Sequence, residues 1–166
     1  MESATDSSST PNPTTLLQSF RALAISEGIT NKKSKTYQRR RREFLIENVQ
    51  DIFANHFGNN ASSLDNWKKL LATIGIEGSH EFTSITKCKQ ALKGRYINIV
   101  DLVDASNAGE TVKKPNPFPS EKALSRYIER TGKAFPKAKA KANPLLAQFL
   151  IVVTGRVRRR PRRQQS

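Results

Sequence analysis

The spacing of apolar residues is helical along most of the chain. Leu16, Leu17, Phe20, Leu23 and Ala24 recur at the intervals of one helix face, which predicts a helix over Thr14 to Ile25 with Gly28 just past its end. A longer stripe, Phe44, Leu45, Val49, Ile52, Phe53 and Phe57, predicts a helix over Thr36 to Phe57, closed by Gly58-Asn59-Asn60. Ser62 or Ser63 caps a third helix whose Leu64, Trp67, Leu70, Leu71 and Ile74 face inward, with Gly75 as its stop. Ser84 caps a short fourth, with Ile85, Cys88 and Leu92 inward and Gly94 at its end. Tyr96 to Val100 alone reads as a strand, but the continuation Asp101 to Ala105 favours a helix capped by Asn98 and closed by Gly109. Pro115, Pro117 and Pro119 require an extended loop over Val112 to Pro119.

Beyond the loop, Ser120 caps a helix carrying Leu124, Tyr127 and Ile128 and stopped by Gly132. Phe135-Pro136 turns the chain. Lys137 to Ala142 alternates Lys and Ala, which suits a helical turn and a solvated tail equally. Pro144 opens a last apolar helix over Leu145 to Val153. No strand alternation of useful length and no internal repeat is visible. The expected class is all-α: a compact bundle of five or six short helices over residues 36–153. A short helix and basic linker precede it at 14–35, and disordered tails flank it at 1–13 and 154–166.

Charge changes this picture. The 166 residues carry 29 Lys and Arg against 14 Asp and Glu, a net +15. Between Glu43 and Gly132 there are eleven residues of each sign, so the middle is neutral. The excess sits in Lys32, Lys33, Lys35, Arg39, Arg40, Arg41 and Arg42, and in ten cations between Lys133 and Ser166 with no acid among them. Of those ten, Arg156, Arg158, Arg159, Arg160, Arg162 and Arg163 lie within eight residues. Blocks of like charge repel and serve as interaction arms. Arg39 to Arg42 cover all sides of the first turns of their helix, and cations there oppose the helix dipole.

Several classes are excluded. One cysteine builds neither a disulfide scaffold nor a multi-cysteine zinc site. The apolar segment Leu145 to Val153 is far shorter than the roughly 20 residues that cross a bilayer. The serine-rich start, Met1 to Pro13, has no apolar stretch of the secretory kind.

One set of motifs looks familiar: Phe53 to Gly58, Leu64-x-x-Trp67-x-x-Leu70, Gly75-Ile76, Ser84-Ile85-x-x-Cys88-Lys89-x-x-Leu92, Ile97-Asn98-Ile99-x-Asp101-Leu102-Val103-Asp104, Gly109 and Phe135-Pro136-Lys137. Over about Phe44 to Leu150 this pattern resembles small helical proteins encoded in filamentous fungal genomes. The resemblance brings no activity and no site residues with it, and the basic arms fall largely outside it.

Catalytic signals are weak beside these arms. His56, His80 and Cys88 would have to converge with a carboxylate to hold zinc, and Cys88 has the inward spacing of a core filler. Asp101 and Asp104 are neighbours on one helix and could do acid–base work, yet they read better as a solvated face opposite Val100 and Val103. No glycine-rich phosphate loop is present, and no cofactor is expected. Trp67 has core spacing, while Tyr37 and Tyr96 are better placed to stack on bases. Lys87, Lys89 and Lys93 suggest phosphate contact, but the connection before their helix is too long for a helix-turn-helix. The Arg156–Arg163 cluster suits an import receptor, phosphate backbones and an anionic membrane surface alike. The sequence points to a non-enzymatic helical interaction module in the nucleus whose neutral body binds protein and whose arms serve an import receptor or nonspecific nucleic acid. The alternative is a nucleic-acid-binding protein that uses Lys32–Arg42 and Arg156–Arg163 on phosphates; a small enzyme using Asp101 and Asp104 or Cys88 ranks below both.

Overall fold

The computed structural model describes residues 14–114 and 116–154, the last three by backbone alone. Six polar side chains mark where helices begin. Thr15, Ser34, Ser63, Ser84, Asn98 and Ser120 each accept the backbone N–H of a residue in the first turn, satisfying donors that have no partner within a helix. They open α1 (Leu16–Ser26), α2 (Lys35–Phe57), α3 (Leu64–Ile74), α4 (Ile85–Leu92), α5 (Ile99–Asn107) and α6 (Glu121–Thr131). The final helix, α7 (Pro144–Thr154), starts on a proline, and short 3-10 turns lie at Ser79–Glu81 and Lys137–Ala142. Of the two candidate caps before α3, Ser63 is the one used.

The apolar stripes converge on one core. Leu45, Val49, Phe53 and Phe57 of α2 pack with Trp67, Leu70 and Leu71 of α3, Cys88 and Leu92 of α4, and Val100, Leu102 and Val103 of α5. Leu145, Leu146 and Phe149 of α7 complete it. The indole N–H of Trp67 donates to the Ala61 carbonyl at 2.9 Å, which lets this large side chain lie wholly inside. α1 lies along α2: its Leu16 enters the main core, and Phe20 and Ala24 form a smaller cluster with Tyr37. Gly132 ends α6 with φ at +72°, a left-handed conformation in which a side chain is strained.

Between α4 and α6 the chain makes one antiparallel bridge rather than a strand pair. Phe118 N–H donates to Tyr96 C=O at 2.7 Å, and prolines on both sides of Phe118 leave no donors to extend the ladder. Among the described residues no helix is long and apolar enough to cross a membrane. The tails expected to be disordered lie outside the described residues, apart from Thr154, which ends α7.

Candidate functional site

The basic run begins in the turn after α1 and continues onto the head of α2. Lys32, Lys33, Lys35, Arg39 and Arg42 are exposed. Arg39 lies 4.0 Å from Glu43 across one helical turn; among the described residues Lys32, Lys33, Lys35 and Arg42 meet no carboxylate. Two members of the run are used differently. Arg40 is two-thirds buried and grips Glu27 at the end of α1 through Nη2 (2.6 Å) and Nε (3.1 Å), with Nη1 3.3 Å from Glu43. The hydrogen bond from Arg40 holds the Glu27 carboxyl below the usual carboxylate range, and the Glu27 and Glu43 carboxylates raise Arg40 in turn. Arg41 packs its guanidinium over Gly132, where a Cβ would collide with it, and lies 6.0 Å from the centre of the Tyr37 ring.

Tyr37 corrects an expectation. It is buried, edge-on to Phe20 at 5.1 Å between ring centres, and offers no face on which a base could stack. The fold also adds a cation that the linear run does not contain: Arg21 of α1 lines a small cavity together with Lys32, Arg41 and Thr131. Arg130 of α6, also exposed, has its guanidinium 5.8 Å over the Tyr127 ring. Chain folding brings Arg21 to this surface, and no local pattern announces it. Arg156, Arg158, Arg159, Arg160, Arg162 and Arg163 lie outside the described residues. Lys89 has partners within the fold: its ammonium sits 5.5 Å over the Trp67 ring and 3.4 Å from the Gln148 amide oxygen.

A second polar site joins α5, α6 and the loop between them. Asp101 was expected on a solvated face, yet its side chain keeps only 14% of its surface exposed. Its Oδ2 accepts from the Tyr127 hydroxyl at 2.8 Å and from Asn116 Nδ2 at 2.9 Å, while Oδ1 takes the Lys133 ammonium at 2.5 Å. Lys133 also donates to Tyr127 Oη at 3.1 Å. The basic C-terminal region therefore does not start at Lys133, which an acidic neighbour draws into the body. Burial alone would lower the Lys133 pKa, but its hydrogen bonds to Asp101 and Tyr127 outweigh this and raise it. Asn116 continues the network by accepting the Asn98 N–H at 2.8 Å, and Asn98 Nδ2 donates to the Lys133 carbonyl at 2.9 Å.

Asp101, Tyr127 and Lys133 border an open cleft of about 750 Å³, also lined by Thr15, Gln18 and Asp104. Asp104 Oδ1 accepts the Leu16 N–H at 2.9 Å, fastening α1 to α5; burial raises its pKa more than this bond lowers it. Burial likewise raises Tyr127. Asp101 and Lys133 are each other's partner, so the cluster's chemistry is that of a clasp holding three segments together. Cys88 is buried with its pKa raised by desolvation, which disfavours a reactive thiolate. Among the described residues no group of three His, Cys, Asp or Glu is placed to hold a metal ion. Comparison with protein-family models, with curated proteins and with solved structures finds no match for this chain.

Proposed function

We propose that the protein is a non-enzymatic, nuclear interaction module that contacts nucleic-acid phosphates without reading sequence. The contacts come from Lys32, Lys33, Lys35, Arg39 and Arg42, with Arg21 beside them and the Arg156–Arg163 cluster as a second arm. One observation supports this reading above others: five cations stand exposed in the turn before α2 and on its first turns, next to a stretch, Glu43 to Gly132, that is balanced in charge, and four of them face no carboxylate among the described residues. Solvated ammonium and guanidinium groups bind phosphate and release counterions, whereas base readout needs rigid donors or stacking faces. The buried position of Tyr37 is in keeping with phosphate contact alone. Membership of the small helical proteins of filamentous fungi belongs to the same proposal and rests on the motifs between Phe44 and Leu150.

The test is fluorescence anisotropy with two unrelated DNA duplexes over a salt series. With about five phosphate contacts, affinity falls roughly 500-fold between 50 and 200 mM salt and is alike for both duplexes. The triple variant Lys32→Glu, Lys33→Glu, Lys35→Glu weakens binding and flattens the salt slope while leaving the melting temperature in place. Equal binding by this variant and by a chain lacking residues 155–166 overturns the reading. A fluorescent fusion that stays cytosolic with and without those residues overturns the nuclear assignment.

A further inference from the structure

We infer that Ser34 is a phosphorylation site for a kinase that reads basic sequence, and that a phosphate there switches off the surrounding contact surface. The switch rests on the proposed function; the acceptor site does not. Ser34 lies between Lys32-Lys33 and Lys35, in the non-helical turn that joins α1 to α2. Ser34 is the half-buried N-cap of α2, with φ −68° and ψ 145°, outside the helix on its N-terminal side, so a kinase reaches it by fraying only the first turn. Its Oγ accepts the Tyr37 N–H at 3.1 Å, and among the described residues its hydroxyl proton has no acceptor. The three flanking lysines are exposed and face no carboxylate among the described residues. They are available both to an acidic kinase groove and, afterwards, to the phosphate itself.

The charge around Ser34 favours the product. α2 carries no acid in its first turn, as is also true of α1 and α4, and Lys35 adds a cation there beside Lys32 and Lys33 of the preceding turn. A phosphoserine adds a charge of about −1.5 to −2 at that position and three acceptor oxygens. In the reaction the Ser34 Oγ–P bond forms as the bond between the γ-phosphorus and the bridging oxygen of Mg-ATP breaks. ADP leaves, and the hydroxyl proton passes to the kinase's catalytic carboxylate. An oxygen of the new group still caps the Tyr37 N–H, so α2 keeps its start. The remaining oxygens draw in Lys32, Lys33 and Lys35, which are then withdrawn from any external phosphate.

The full chain is treated with Mg-ATP and a basophilic serine kinase, the phosphate is located by mass spectrometry, and duplex binding is compared before and after. The expected result is one phosphate at Ser34, absent in Ser34→Ala and in Ser34→Asn, the latter keeping a capping oxygen. Loss of about three contacts weakens binding roughly hundredfold near 0.1 M salt and lowers the salt slope by about three. No incorporation, or incorporation at exposed Thr36 instead, overturns the site. Phosphate on Ser34 with unchanged binding overturns the switch and leaves the contact surface standing. An unmodified chain that fails to bind the duplex overturns the proposed function and the switch together, while the mass spectrum still decides the acceptor.

Discussion

Asp101 accepts hydrogen bonds from Asn116, Tyr127 and Lys133, so its removal reaches three segments at once. Asp101→Ala leaves the largely buried Lys133 ammonium without its carboxylate. A cost of about 2–4 kcal/mol is expected in urea unfolding, toward the lower side of what breaking a fully buried pair costs because both groups keep some exposure. Adding Lys133→Met to Asp101→Ala should recover part of that loss, since no charge is then stranded. Asp104 makes stability depend on pH. Its folded pKa lies above the ordinary aspartate value of 3.8, so the native state holds the proton more tightly than the unfolded chain does. Stability from this group is greatest at acid pH and falls as pH rises from about 3.8 through the folded pKa. Asp104→Asn, which retains an oxygen for the Leu16 N–H, should therefore gain on the wild type as pH rises from 4 to 7 in paired unfolding curves.

At the scale of elements, α2 carries the fold. Its Phe53 is fully buried against Phe57 and Phe149, and Phe53→Ala should cost about 3–5 kcal/mol by equilibrium unfolding. The helices were legible because caps and stripes agree: Ser63, Ser84, Asn98 and Ser120 each stand directly before an apolar periodicity. Ser34 was not legible in the same way, since the stripe of α2 begins only at Phe44 and the first turns read as bare charge. Tyr37 shows the same limit. Polar neighbours on both sides suggested exposure, and only the packing of Phe20 from α1 buries it.

For the whole molecule, what the sequence showed was charge by segment, and what it hid was charge by contact. A count along the chain put Lys133 with the basic tail and Asp101 on a solvated face; the two are 32 residues apart and meet. Arg40 likewise looked like one of four equivalent arginines, yet it alone ties α1 to α2 through Glu27. The exposed cations and the packed core should consequently respond differently to salt. Raising KCl from 0.05 to 0.5 M should move the melting temperature by less than about 3 °C, because exposed pairs contribute little, while duplex binding collapses. A melting temperature that falls in step with the binding would place the charge inside the stabilising framework.

Cys88 is the sole sulfhydryl of the chain and lies with none of its surface accessible. The native protein thus carries its own clock for breathing: an aromatic disulfide reagent, colourless until a sulfur attacks it, can colour only as fast as the interior comes apart. At saturating reagent the rate should level off at a ceiling set by the protein, and Phe53→Ala should lift that ceiling without any dye, tag or second cysteine being added.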